Sequence, residues 1–373
     1  MADDKTIRIG VIGTGMIGKR HIERYGPVDG AEVVAVADLD EAEATKVAKQ
    51  HGIADVYTDY RRLLERDDID AIDVCLHNQL HRPMTIDALE AGKDVYCEKP
   101  IAAKYADGLA MVEAAKRTGR KLHIQIGSIY SIEARAARAM VEDGLLGEVY
   151  HGRAWVNQRR SRPFVDGYGT AAFVNKQTSG GGALIDWGIY AISQVLFIMG
   201  NPKPERVSGA TYNKLWMDEK RAAESGYDVE ELGLGFVRME GGTTMDVMTA
   251  WALNLGKGLG CAVAGSKGGV QLPPINGAGD LTMKYYHTDR HYEFESELNT
   301  GSLSRRWKNV EGQGDLFESS QHHWVRALQG KVDLLPTAQI ALNMLLIAEG
   351  IYLSGERNRE VTAEEILEAS KEA

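Results

Sequence analysis

The most constraining feature of this chain is a glycine-rich turn between a strand and a helix. Ile7–Ile12 reads as a short buried strand, and Gly13-Thr14-Gly15-Met16-Ile17-Gly18 follows at once. In such a turn Gly13 permits the tight bend, Gly15 lets backbone approach a pyrophosphate, and Gly18 lets helix and strand pack closely. Met16 and Ile17 open the helix, whose N–H groups and positive dipole end face phosphates. The glycines alone are a weak signal. With the strand before them and helical spacing after, they predict a bound dinucleotide.

The second strand ends Val36-Ala37-Asp38. Asp38 lies about twenty residues past Gly18, where an acid accepts hydrogen bonds from the adenosine ribose hydroxyls. A carboxylate there repels a 2′-phosphate, and Leu39 offers no cation to hold one. NAD is therefore expected in preference to NADP. The competing reading is that Asp38 merely caps the helix starting near Glu41, as Asp40 does.

Strand-like runs at Ile7–Ile12, Val33–Ala37, Ala71–Leu76, Asp94–Cys97 and Leu122–Ile126 alternate with helical spacing at 41–50, 84–91 and 106–118. This predicts a doubly wound parallel sheet, a Rossmann domain over residues 1–127. Beyond it, runs at 207–212, 232–239, 243–253, 260–264, 281–287 and 292–297 predict a mainly antiparallel open sheet. Helices are expected at 184–199, 315–328, 338–353 and 363–372, the last capped by Thr362. The fold class is α/β, with an α+β domain for substrate and oligomerisation over residues 128–373. The closing helices are free to pack back on the first domain.

Two stretches carry candidate chemistry. Glu98-Lys99-Pro100 follows a buried strand, at the edge where open α/β sheets bind ligands. Lys99 can hydrogen-bond a substrate hydroxyl and ease its deprotonation. Pro100 restricts Lys99 to extended backbone. The second stretch is Gly180-Gly181-Gly182-Ala183-Leu184-Ile185-Asp186-Trp187-Gly188-Ile189-Tyr190. Asp186 and Tyr190 are expected on one face of the following helix. Alternatively Asp186 is an N-terminal acid on a core helix and Tyr190 is packing.

Over nearly its whole length the chain resembles the Gfo/Idh/MocA family, that of glucose–fructose oxidoreductase and inositol dehydrogenase. The resemblance rests on Ile9–Gly18, His81 with Ala88–Lys93, Glu98-Lys99-Pro100, Gly180–Tyr190, Val229-Glu230-Glu231, Gly265–Gly269 and Ile351–Ser354. It implies an NAD-dependent dehydrogenase oxidising a secondary hydroxyl of a sugar, anhydrosugar or cyclic polyol. Lys99 is then the catalytic lysine, Asp186 orients substrate, and Tyr190, histidine in many members, transfers the proton. Leu76, His77, Asn78, His81, Glu98 and Lys99 join the cofactor set. Asn157, Arg159 and Lys176 join Lys99, Asp186 and Tyr190 as substrate contacts. Two departures stand out. His77 replaces a proline, and Gly127-Ser128-Ile129-Tyr130 replaces an Asn-Arg-Arg-Phe-like stretch. The rival readings are glycoside cleavage or epimerisation through transient oxidation, and a sugar-sensing regulator without chemistry.

Composition narrows the partners. A net charge of -10 argues against nucleic acid, whose phosphates need Lys and Arg. No run was expected to reach the ~18 apolar residues of a membrane span. Met1-Ala2-Asp3-Asp4-Lys5 does not read as a signal peptide. Three cysteines, an odd and sparse count, read as reduced, buried thiols in a cytoplasmic protein. No metal is expected: His287 and His291 have metal-like spacing but no third ligand nearby. His322 and His323 read as packing or interface residues, and Arg160 and Arg162, with Arg159, read either as contacts to an anionic or polyhydroxylated substrate or as a solvated or intersubunit basic loop. Assembly is expected as a homodimer or homotetramer through the second-domain sheet.

Overall fold

The computed structural model describes residues 5–256, 260–275 and 282–372. They form two compact units. One comprises the described residues through Ala102, Asp107–Gln125 and Gly312–Gln339. The other comprises Ala103–Ala106, the described residues of 126–311, and those from Ile340 onward.

The first unit carries six parallel strands: β1 (Ile7–Ile12), β2 (Ala31–Ala37), β3 (Asp55–Tyr57), β4 (Ala71–Val74), β5 (Asp94–Cys97) and β6 (Leu122–Ile124). Their order is β3-β2-β1-β4-β5-β6. The chain winds one way from β1 to β3 and then crosses to β4 on the other side of β1. That reversal leaves a crevice outside the carboxyl ends of β1 and β4, where such sheets take ligands. The interleaved helices are α1 (Met16–Tyr25), α2 (Glu41–His51), α3 (Arg61–Leu64), α4 (Asn78–Glu90) and α5 (Tyr105–Thr118). Ile9, Val11, Val36 and Tyr96 are among the fully buried residues of its core.

In the second unit α6 (Ile132–Glu142) precedes β7 (Val149–Asn157). Three consecutive helical segments follow: α7 (Lys176–Ser179), α8 (Ala183–Asp186) and α9 (Gly188–Met199). The sheet continues with β8 (Pro204–Tyr212), then α10 (Glu219–Ser225), β9 (Leu232–Met239), β10 (Thr244–Ala250), β11 (Ala262–Gly265), β12 (Gly269–Gln271), β13 (Lys284–Asp289) and β14 (Tyr292–Glu297). Last come α11 (Thr300–Asn309), α12 (Ser320–Leu328, in the first unit), α13 (Thr337–Arg357), β15 (Val361–Thr362) and α14 (Ala363–Glu372). The nine strands run in the order β14-β13-β12-β11-β7-β10-β9-β8-β15, antiparallel except for β7 beside β10. Helix α9 lies on this sheet. A Cβ at Gly152 of β7 would come within 2.5 Å of Val195 and Met199, so the missing side chain lets the helix settle.

Several elements differ from expectation. The sequence reading overlooked β3, whose three residues are too short to show a period. Helix α4 starts at Asn78, not Met84, and runs through Pro83, which forfeits one backbone bond. Helix α12 starts only at Ser320, where Ser319 Oγ accepts from His322 N–H. The strand expected at 281–287 is Lys284–Asp289, with Leu281 outside the described residues. The capping role of Thr362 is seen: its Oγ accepts from Glu365 N–H, and the Glu365 carboxylate accepts from Thr362 N–H. The expectation that no segment is long and apolar enough to span a membrane is corrected by α13. Its 21 residues pass on length and hydropathy, although 72% of the apolar window is buried inside the protein.

Candidate functional site

The glycine turn is built as its spacing predicts. Gly13 N–H donates to the Ala37 carbonyl at 2.8 Å. Gly13 has φ of +96°, and a Cβ there would lie 2.4 Å from the Cys75 carbonyl. A Cβ at Gly18 would lie 1.9 Å from the Gly13 carbonyl, so only glycine lets α1 close on the turn. Gly15 is different: a Cβ there meets nothing within 4 Å. The packing of the fold therefore does not itself require glycine at this position. Met16 is 53% exposed, Ile17 is half-buried, and the first turn of α1 carries no acidic side chain. An open glycine at the N-terminus of a ten-residue helix, without a repelling carboxylate, fits the pyrophosphate of a dinucleotide.

Asp38 does not cap α2. Asp40 does, accepting from Glu43 N–H at 3.0 Å. Instead Asp38 Oδ2 accepts from Thr14 N–H at 2.7 Å and Thr14 Oγ at 3.0 Å, and Oδ1 accepts from Asp40 N–H at 3.0 Å. Of a carboxylate's roughly four acceptor sites, these bonds leave one on Oδ1. Leu39 beside it is 92% exposed.

The loops leaving β4 and β5 carry the other residues expected at the cofactor. Leu76 and Asn78 are half-buried, and His77, the N-cap residue of α4, is exposed. His81 is fully buried, with Nδ1 2.8 Å from the Pro100 carbonyl and Nε2 3.0 Å from the Leu76 carbonyl. His81, expected in the cofactor set, thus sits between the two loops with one ring nitrogen facing each carbonyl. Burial holds its pKa below the ordinary value. The Lys99–Pro100 peptide is cis. Lys99 is half-buried, whereas the Glu98 carboxylate turns inward to His21 Nε2, 2.9 Å away. Glu98 thus contributes through its position in the loop, not as an exposed acid.

In the second unit the glycine run packs against a buried acid. A Cβ at Gly182 would lie 2.0 Å from the Glu230 carbonyl. The Glu230 carboxylate accepts from Gly182 N–H at 2.9 Å and Leu184 N–H at 2.8 Å, capping α8 from a residue distant in sequence. Helix 184–199, expected to be continuous, is broken at Trp187. Lys176–Asp186 and Gly188–Met199 meet at a 51° bend. Asp186 and Tyr190 accordingly do not share one helix face. Asp186 ends α8, where Trp251 Nε1 donates to its Oδ2 at 3.1 Å. Tyr190 lies in the first turn of α9, its carbonyl accepting from Ser128 Oγ at 2.9 Å. Both are half-buried.

Sequence reasoning missed three contributors here. Trp251 orients Asp186. Tyr168, 42% exposed, has its pKa pushed up to about 12 by burial and by the nearby Asp186 charge. Arg162, expected in a basic surface loop, is fully buried. It makes two bonds to Asp166, at 2.9 and 3.1 Å, and one to Glu231 at 3.0 Å. The Val229-Glu230-Glu231 string was the available signal, since adjacent buried acids require donors. Arg159 and Lys176 are exposed. Asn157 is buried, its amide donating to the Gly256 carbonyl at 3.0 Å. All three cysteines are buried, with pKa values raised by burial. His287 stacks between Tyr285 and Phe294. His323 accepts from Leu335 N–H at 2.9 Å and stacks on Phe317, a packing role.

Comparison with known proteins agrees with this geometry. Residues 7–126 match the oxidoreductase family with NAD-binding Rossmann fold, and residues 134–271 match the GFO/IDH/MocA C-terminal domain. D-glucoside 3-dehydrogenase of Escherichia coli K12 is 26% identical over 364 residues, covering 95% of this chain and 97% of its own. Inositol 2-dehydrogenase of Rubrobacter xylanophilus is 30% identical over 279 residues, 74% of each chain. A solved levoglucosan dehydrogenase complexed with NADH matches with a TM-score of 0.75 at 18% identity, over 96% of this chain and 99% of that one.

Proposed function

This chain belongs to the Gfo/Idh/MocA family of NAD-binding oxidoreductases, and on that premise we propose that it reversibly oxidises a secondary hydroxyl of a sugar, anhydrosugar or cyclic polyol, using NAD in preference to NADP. The observation that carries this reading is Lys99. It leaves β5 of the sheet that bears the dinucleotide turn, on a loop held by buried His81 at Pro100. A bound nicotinamide supplies the redox chemistry.

The residues divide the remaining work. Lys99 is assigned to hold the reacting hydroxyl and take its proton, and Tyr190 is assigned as a further proton-transfer residue. Asp186, oriented by Trp251, accepts a hydrogen bond from a neighbouring hydroxyl. The one acceptor site left on Asp38 receives a ribose hydroxyl, and its charge beside uncharged Leu39 disfavours a 2′-phosphate. Support for the substrate class comes from the relatives named for glucosides, inositol and levoglucosan. For assembly we favour a homodimer or homotetramer through the nine-stranded sheet, where Trp155, Leu234, Phe236 and Met248 line one shallow surface. The test is Lys99→Ala. We expect a fall of about 10²–10⁴ in kcat/KM with NAD still bound. Full activity in that variant contradicts the assignment of Lys99, and wild-type protein that binds NAD but oxidises no panel member favours a sensor without chemistry.

A further inference from the structure

A buried cluster of charge lies among α1, β4 and β5, and no step above uses it. His21 on α1 is 1% exposed, Asp73 on β4 is fully buried, and Glu98 after β5 is 8% exposed. His21 Nδ1 lies 3.1 and 3.0 Å from the two Asp73 carboxylate oxygens, and Nε2 lies 2.9 Å from Glu98 Oε2. Cys75 Sγ donates to Asp73 Oδ1 at 3.3 Å and lies 3.2 Å from His21 Nδ1. Tyr96 meets the imidazole edge-on, 5.5 Å between centroids.

A neutral imidazole has one N–H and can donate to only one of two carboxylates. Its bare nitrogen would then face the other, lone pair to lone pair, and a buried charge so poorly compensated is costly by several kcal/mol. Two carboxylates, one at each ring nitrogen, therefore call for both protons. Burial opposes charge on His21, but Asp73 beside it outweighs burial and raises its pKa well above the ordinary value. Burial likewise opposes ionisation of Glu98, but the His21 bond and charge, together with the charges of Lys99 and His81, outweigh it and leave the Glu98 pKa below the ordinary value. The titratable and charged groups facing His21 are Asp73 on β4 and Cys75 just after it, Tyr96 on β5 and Glu98 just after it, and Tyr25 on its own helix. Burial pushes Cys75, Tyr25 and Tyr96 upward, so these three stay neutral.

We propose that His21 is a buried imidazolium clamped between Asp73 and Glu98, and that through Glu98 it is a positioning residue for Lys99. The inference rests on the catalytic reading of Lys99 given above. Glu98, Lys99 and Pro100 form one short segment, gripped by His21 at Glu98 and by His81 at Pro100. Lys99 is thereby carried on backbone held from both sides, next to a fixed negative charge. The ligand atoms of His21, Asp73 and Cys75 also lie close enough together to suggest a cation. A cation there would have to replace the Nδ1 proton, so the two alternatives are exclusive.

Nitrogen NMR of wild-type protein labelled only at its ten histidines reads the ring directly. At about pH 8, above the ordinary histidine pKa of ~6.5, we expect one ring protonated at both nitrogens. Absence of such a ring, or stoichiometric metal in the purified protein, overturns the clamp. In kinetics, His21→Gln keeps one donor and removes the charge. We expect kcat to fall about 10²-fold, KM for NAD to hold, and the pH profile of kcat to shift. An unshifted profile overturns the positioning role. If wild-type protein oxidises no polyol, the functional reading fails, and the NMR result alone decides the clamp.

Discussion

The Trp251 indole donates to Asp186 Oδ2 at 3.1 Å, where α8 ends and the chain turns by 51° into α9. A carboxylate at a helix break has more freedom than one within a helix, so this bond gives Asp186 its direction. Hydrogen bonds to charged groups contribute about 1.5–3 kcal/mol. Trp251→Phe keeps the ring packing and removes the donor. Steady-state kinetics should show kcat/KM for the polyol reduced roughly 10–100-fold, with NAD affinity intact. Wild-type kinetics in that variant would show that the bond does not orient Asp186.

Gly15 and Gly18 should respond oppositely to alanine. At Gly15 the new methyl enters open space, so thermal stability should change by no more than about 1 kcal/mol, while NAD binding weakens. At Gly18 the methyl meets the Gly13 carbonyl, 1.9 Å from the Cβ position. That variant should lose stability and NAD binding together. Melting curves with and without NAD separate the cases, and a destabilised Gly15→Ala would remove the argument that its freedom serves a ligand.

Arg162 joins Asp166 to Glu231, which is 1% exposed. Removing one partner of a buried ion pair costs about 3–5 kcal/mol, so Arg162→Ala should lower denaturant midpoints accordingly. The pH dependence has a definite sign. Burial favours protonated Asp166, yet the Arg162 bonds outweigh it and hold its pKa below the ordinary value. Its stabilisation is present above the unfolded pKa of ~3.9 and is lost as pH falls through the lower folded value. Acid denaturation of wild type should include this loss, and the Arg162→Ala variant should show less of it.

Cofactor choice is testable at the end of β2. Asp38→Ser with Leu39→Arg removes the negative charge and supplies a cation suited to phosphate. The ratio of kcat/KM for NADP over NAD should rise about 10²-fold, in line with charge-assisted bonds of a few kcal/mol. An unchanged ratio would mean that Asp38 acts only within the fold, on Thr14 and Asp40.

The glycine turn was legible because its determinants are local: Gly13 and Gly18 act through backbone geometry, and the strands around them keep a readable period. The candidate residues of the second unit were legible in their identity but not in their local shape. Residues 184–199 keep helical apolar spacing throughout, so nothing local marks the break at Trp187. The cap on α8 comes from Glu230, 46 residues away, and the donor to Asp186 from Trp251, 65 residues away. His21 was invisible for the same reason: its partners lie 52 and 77 residues along the chain. Arg162 read as surface because arginine is rarely fully buried, and only its pairing with Glu231 permits it.

The central claim is net oxidation of a sugar or cyclic polyol with NAD. The most direct measurement is NADH absorbance when the protein and excess NAD meet a panel of sugars, inositols and anhydrosugars, with NADP in parallel. The account predicts stoichiometric NADH with at least one member of the panel, a smaller rate with NADP, and a rate about 10²–10⁴ lower in Lys99→Ala. Product formed without NADH accumulating, or a clear preference for NADP, would contradict it.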